Sequence, residues 1–239
     1  MKVTANIATY PPRFQTLQKV IDSLVDQVDN VRVYCNSVKD LKDVQKYFNR
    51  DYNGRVRLIM GWDQDFDLTD NGKFYSLDTI KEPEYYLTCD DDIIYPPNYV
   101  ETIKKAIDYY GCIVGFHGRQ LLGTGLDYYK DHKSFHFLGT VTNDEVIDVV
   151  GTGVCGFRTD YFHPEELAHS TEKRMSDLIF SLEASKQKKQ IGVIKHDAGW
   201  LKTINNKETI HSTESAKGTP VQNALADQIY RNNYGTTKS

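Results

Sequence analysis

The sequence is short of several things, and each shortage excludes a class of protein. No apolar run approaches the roughly 20 residues that cross a bilayer, and Met1-Lys2-Val3-Thr4-Ala5 enters a strand-like segment without the apolar core of a signal peptide. The expectation is a soluble, cytoplasmic protein with no integral membrane segment. Basic residues are not in excess: 29 Lys and Arg face 33 Asp and Glu, a net charge of -4, which leaves no global footprint for nucleic acid or anionic lipid. The four cysteines, Cys35, Cys89, Cys112 and Cys155, share no Cys-x-x-Cys spacing and mostly sit in apolar runs, so they read as buried thiols, not zinc ligands or a disulfide framework. Internal repeats and low-complexity linkers are also missing. With 39% hydrophobic residues in 239, the chain has the material for one core, and a single domain over 1–239 is expected.

What is present centres on Tyr85-Tyr86-Leu87-Thr88-Cys89-Asp90-Asp91-Asp92-Ile93-Ile94-Tyr95-Pro96-Pro97. A short apolar, β-prone run delivers three consecutive carboxylates to its end just before two prolines stop it. Adjacent carboxylates repel and raise each other's pKa unless a counter-charge is near, and hard oxygen donors select Mg²⁺ or Mn²⁺ shared with phosphate.

Around that stretch, strands alternate with helices. Val3 to Ala8, Val31 to Cys35, Arg55 to Met60 and the run from Tyr85 read as strands. Phe14, Leu17, Val20, Ile21, Leu24, Val25 and Val28 recur at helical spacing, as do Tyr99, Val100, Ile103, Ala106, Ile107 and Tyr110, with Gly111 ending the second series. Leu41, Val44 and Phe48 suggest a further helix capped by Ser37. A short helix is expected around Phe74, Leu77 and Ile80. Such alternation predicts an α/β, Rossmann-like, mostly parallel sheet with flanking helices, which binds ligands at the carboxyl ends of its strands. Beyond Gly111, short strands are expected at 113–118, 146–150, 154–157 and 191–194, and helices at 175–188 and 221–230. The aromatic, His-rich stretch from Leu121 to Phe137 reads as an irregular binding loop.

In order, Thr9-Tyr10-Pro11-x-Arg13, Asp70-Asn71-Gly72-Lys73, Asp90-Asp91-Asp92-x-x-x-Pro96, Gly115-x-His117-Gly118, Gly151-Thr152-Gly153, Ser176-Asp177 and Gly199-Trp200 resemble a family 2-type glycosyltransferase of the GT-A fold, in a bacterial or phage-like subgroup, over nearly the whole length. The resemblance implies a metal-dependent inverting transfer of a hexosyl or pentosyl group from a nucleotide-sugar, a UDP-sugar being the first expectation, to an acceptor hydroxyl. The acceptor would be a surface glycan or, secondarily, a hydroxymethylated base in phage DNA. Residues 1–110 would form the nucleotide- and metal-binding half, and 111–239 the half carrying acceptor site and base.

The same resemblance assigns residues. Thr9, Tyr10 and Arg13 would line the nucleotide pocket. Asp70 and Lys73 would contact base, ribose or phosphate. Asp90 would face ribose or metal and Asp92 would be the main metal ligand, although counting back from Pro96 makes Asp91 the ligand instead. A late histidine, His196 or His211, would complete the coordination of Mn²⁺ or Mg²⁺. Asp177 would be the general base, with the plainer alternative of an acid stabilised at a helix start. Trp200 would be a sugar platform or core, and 205–220 a loop closing over donor. Two rival functions stand beside this one. A nucleotidyltransferase would want a Gly-rich, basic phosphate cradle after the first strand, and Tyr10-Pro11-Pro12-Arg13 is not one. A non-catalytic carbohydrate-binding protein would have no use for Asp90 to Asp92 together with Asp177.

Overall fold

The computed structural model describes residues 1–61, 67–165, 167–204 and 219–235. Four strands form the parallel half of a large sheet: β1 (Lys2–Thr9), β2 (Asn30–Asn36), β3 (Val56–Gly61) and β4 (Glu84–Cys89), ordered β3-β2-β1-β4. Helix α1 (Phe14–Leu24) makes the first crossover, and every expected inward residue from Phe14 to Val28 is buried. Helix α2 is a single turn, Lys42–Gln45. Ser37 does not cap it: Ser37 takes φ 56°, and its hydroxyl donates to Asp67 Oδ2 (2.9 Å). The segment leading to β4 is two 3-10 turns, Thr69–Phe74 and Leu77–Thr79, in place of one short helix.

After the acidic turn come β5 (Ile93–Ile94) and α3 (Tyr99–Tyr110), ended by Gly111 in the left-handed conformation at φ 59°. The second half adds β6 (Ile113–Gly115), β7 (Gly118–Leu121), β8 (His132–Phe135), β9 (Glu145–Ile147), β10 (Val149–Val150) and β11 (Val154–Arg158). Helix α4 (Ser176–Lys186), β12 (Ile191–Val193), β13 (Lys202–Thr203) and α5 (Pro220–Tyr234) complete the described chain. β11 inserts antiparallel beside β4, and the sheet continues β11-β6-β12-β9. The stretch 121–137 is not wholly irregular: β8 pairs antiparallel with β7, which pairs in turn with β10.

The period of two along β1 and β4 divides the core. Val3, Ala5, Ile7, Tyr85, Leu87 and Cys89 face the layer of α1 and α3, whereas Tyr86 faces a second cluster with Phe157, Phe162 and Phe180. Helix α4 is buried on two sides. Ile179, Phe180 and Ala184 meet the sheet, and Leu178 and Leu182 meet Ala226 and Ile229 of α5. That packing explains why its sequence lacks the one-sided pattern of α1. No described helix is long and apolar enough to cross a membrane.

Candidate active site

The carboxyl ends of β1, β2 and β4 open into a cleft of about 660 Å³. Asn36 at the end of β2 ties its floor together: its Nδ2 donates to the carbonyls of Thr9 (3.1 Å) and Thr69 (2.9 Å), and its Oδ1 accepts from Leu68 N. Parallel pairing thus brings Thr9, Asn36 and the acids after Cys89 to one edge, and the 3-10 turn at 69–74 folds over it.

Each acid of the trio has its own partner. Lys73 Nζ meets Asp90 Oδ1 at 2.5 Å, Thr9 Oγ1 donates to Asp91 Oδ2 at 2.7 Å, and Arg13 Nη1 meets Asp92 Oδ2 at 2.8 Å. Burial pushes the Asp91 carboxyl up to about 7, and Thr9 and Arg13 offset only part of that. Asp92 is raised too, by burial and by the charge of Asp90. Burial disfavours the Lys73 ammonium, but Asp90, Asp70 and Asp177 outweigh it, so Lys73 stays charged and is held above the ordinary lysine value.

The turn itself is closed from behind. Asp90 N donates to the Tyr95 hydroxyl (2.9 Å), which donates to the Gly153 carbonyl (2.6 Å). A Cβ on Gly153 would stand 2.1 Å from Asp90 Oδ2, and one on Gly151 would stand 2.4 Å from the His117 ring. The Gly-Thr-Gly segment is therefore wedged beside the acids, between strands that pair with other partners, and is not a hairpin turn.

Between those glycines, Thr152 reaches Asp177 at the start of α4. Its N and Oγ1 both donate to Asp177 Oδ1, each at 2.7 Å, while Oγ1 also lies 2.9 Å from Ser176 Oγ and 3.4 Å from Lys73 Nζ. Burial raises the Asp177 carboxyl, against the lowering effect of Thr152 and Lys73. Asp70 fixes the approach to α4 by accepting from Arg174 N (2.9 Å) and Ser176 N (3.0 Å). Arg174 itself sits at φ 60°, a strained position for a side-chain-bearing residue.

Thr9, Tyr10, Arg13, Asp70, Lys73, Asp90, Asp91, Asp92 and Asp177 all line this one cleft. His196 is not among its lining residues: its ring packs near Phe116 and Trp200, Nδ1 lies 2.7 Å from the Ile194 carbonyl, and Nε2 is buried with no partner among the described residues. His211 and most of 205–220 lie outside the described residues. Trp200 also stays out of the lining; it packs on Tyr99 and Phe116, and its Nε1 donates to Asn98 Oδ1. Asn36, Tyr128, Arg174 and Gln222 line the cleft without having been expected. Gln222 had a visible signal, the Thr219-Pro220-x-Gln222 capping pattern. Arg174 had none.

Six carboxylates (Asp67, Asp70, Asp90, Asp91, Asp92, Asp177) line the cleft against three cations (Arg13, Lys73, Arg174). Among the described residues, no three His, Cys, Asp or Glu side chains are grouped to hold a metal unaided. Mg²⁺ and Mn²⁺ sites completed by substrate phosphate need only one or two carboxylates. Asp90 and Asp92, with side chains 42% and 22% exposed, fit that donor set, whereas Asp91 is turned onto Thr9.

The parallel β3-β2-β1-β4 half, the antiparallel β11 beside β4 and the acids at the β4 edge agree with the GT-A fold expected from the sequence. No protein-family model and no curated protein matches the chain. Among solved structures it is similar to that of GalNAc-T7 with UDP, GalNAc and Mn²⁺, at TM-score 0.61 and 9% identity over 81% of this chain. The chain spans 42% of that protein's length. It also matches, at TM-score 0.45 in both cases, an active-site mutant of LgtC (12% identity; 80% of this chain, 72% of that one) and 4-diphosphocytidyl-2C-methyl-D-erythritol synthase from Anaerococcus prevotii (11% identity; 95% and 97%). At these identities the likeness is one of fold.

Proposed function

We propose that the protein is a divalent-metal-dependent inverting glycosyltransferase that moves a sugar from a nucleoside diphosphate sugar onto an acceptor hydroxyl. The observation that carries this reading is the pairing, across one cleft, of an acidic strand end with a separately held, half-buried carboxylate, Asp177. A nucleoside diphosphate sugar entering a site with twice as many carboxylates as cations needs a bridging cation.

Asp90 and Asp92 would hold Mn²⁺ or Mg²⁺, which when bound supplies Lewis acidity to the departing diphosphate. Thr9, Tyr10 and Arg13, with Asp70 across the cleft, line the space for the nucleotide. Thr152 fixes one oxygen of Asp177, leaving Oδ2 for the acceptor, whose hydroxyl proton it takes as the oxygen attacks the anomeric carbon. The proton ends on Asp177 and the leaving group departs as nucleoside diphosphate. A single base on the far side of the donor is what inversion requires. GalNAc-T7, crystallised with UDP, GalNAc and Mn²⁺, makes UDP-sugars the first donors to try. A glycan acceptor leads over a DNA base, since the net charge is -4 and two lysines of the basic stretch at 186–195 are already engaged: Lys186 pairs with Glu183, and Lys189 lies over the Tyr161 ring. In this reading the halves 1–110 and 111–239 act as one domain around the cleft.

The test is release of nucleoside diphosphate from a panel of UDP-, GDP- and dTDP-sugars with Mn²⁺, with and without sugar acceptors. Pyrophosphate release from nucleoside triphosphate and sugar phosphate would instead establish a nucleotidyltransferase. Binding without turnover of any donor would leave a carbohydrate-binding protein.

A further inference from the structure

One cleft residue has a role that neither nucleotide nor metal accounts for. Tyr128 lies in the loop between β7 and β8, only 6% exposed, and lines the cleft on the side of Asp177. Three elements hold it still. Asn223 Oδ1 of α5 accepts from its N (2.9 Å), Arg119 of β7 donates to its carbonyl (3.3 Å) and stacks over its ring at 4.3 Å, and the residue belongs to the apolar cluster that contains Leu178, the residue after Asp177. Helix α5 secures the rest of the loop as well: Asp227 accepts from Gly125 N, and Gln222 donates to the Tyr129 hydroxyl.

The Tyr128 hydroxyl has no hydrogen-bond partner among the described residues, yet it is not one of the sealed polar atoms of the core. A nearly buried phenol whose backbone and ring are both held, and whose residue lines a cleft, offers a hydrogen bond that either water or a bound ligand in that cleft can take up. Burial, with the Asp177 charge adding to it, keeps the phenol protonated against the opposing effect of Arg119. It can therefore both donate and accept.

We propose that Tyr128 positions the acceptor by hydrogen-bonding a hydroxyl next to the one that reacts at Asp177, so that the acceptor is a sugar or polyol bearing neighbouring hydroxyls. This rests on the glycosyltransferase reading and adds to it a residue and a substrate requirement. A lone hydroxymethyl group on a base satisfies Asp177 but leaves Tyr128 unpaired.

The test follows nucleoside diphosphate release from the active nucleotide-sugar with Mn²⁺, using methyl glycosides, their mono-deoxy analogues and hydroxymethylcytosine DNA as acceptors. The expected result is stimulation by at least one methyl glycoside and about a tenfold loss in kcat/KM for an analogue lacking the adjacent hydroxyl. Tyr128→Phe should raise the acceptor KM about tenfold without raising the nucleotide-sugar KM, and should no longer distinguish the glycoside from its deoxy analogue. An unchanged acceptor KM, a parallel rise in both KM values, or stimulation by the DNA alone would each overturn it. Donor hydrolysis with no stimulation by any glycoside would overturn this inference while leaving the transferase reading intact; no turnover of any nucleotide-sugar would remove that reading itself.

Discussion

The two walls of the cleft are built by different means. The acidic wall is made of strand ends: Thr9, Asn36 and Asp90 to Asp92 follow directly from parallel pairing of β1, β2 and β4, and their cationic partners come from the turns next to those strands. The opposite wall is assembled from segments far apart in the chain. Asp177 depends on Thr152, 25 residues earlier, and Ser176 N on Asp70, 106 residues earlier. Tyr128 depends on Asn223, 95 residues later. The first wall resists change because neighbouring charges compensate one another in place; the second is accurate only while the whole second half is folded around it.

That contrast can be broken most severely at Asp177. Asp177→Asn should lower turnover by about 10³-fold while leaving nucleotide affinity in place, because the amide cannot take the proton; steady-state rates beside calorimetric titration with UDP would check it. Equal losses in both would put Asp177 on the nucleotide side instead.

On the acidic wall the largest stability effect is expected from Asp90→Asn, which strands the buried Lys73 ammonium. The cost should be about 2 kcal/mol, below the roughly 3–5 of a wholly buried pair because Asp90 keeps contact with solvent. Asp92→Asn should cost less, since Arg13 retains Asp91 at 3.9 Å. Urea melts of the three proteins without nucleotide would order them.

Gly153→Ala touches both walls. Its Cβ would displace the Asp90 carboxylate, the movable end of a side chain, so activity should fall about tenfold while the unfolding midpoint shifts by no more than about 1 kcal/mol equivalent. A large loss of stability with retained activity would show that the backbone, not the acid, had given way.

The mildest probe is pH. A base works ionised, so a carboxyl raised by burial loses activity at a higher pH on acidification than an ordinary carboxyl near about 3.9 would. The acid limb of kcat/KM should accordingly lie above that value. Thr152→Val, which removes the hydroxyl donor that favours the charged form, should move the limb further up.

Legibility follows the same division. Helices α1 and α3 were readable because one face of each meets the core, which imposes a 3.6-residue period, and β4 because it is a short, β-prone and mostly apolar run, buried along its whole length. Helix α4 was located, but not its burial on two sides. Strand β8 was hidden, because a four-residue edge strand with exposed Lys133 and Ser134 has no pattern to show. Ser37 was misread as a cap because a hydroxyl ahead of a periodic run looks the same whether its partner is the next turn or Asp67.

In the candidate site, the acids, Thr9, Arg13, Lys73 and Asp177 were named from sequence, but which of them pairs with which was not. Nothing local in Asp90-Asp91-Asp92 says that the middle residue turns to Thr9 while its neighbours meet Lys73 and Arg13. The alternation of apolar residues determined the sheet, its helical layers and the edge at which the acids emerge, because burial of apolar faces is a short-range, periodic demand. Which carboxylate faces a cation, which oxygen of Asp177 is held, and that Tyr128 stands beside it were decided only by tertiary structure, because hydrogen bonds and ion pairs depend on where distant backbone segments come to rest.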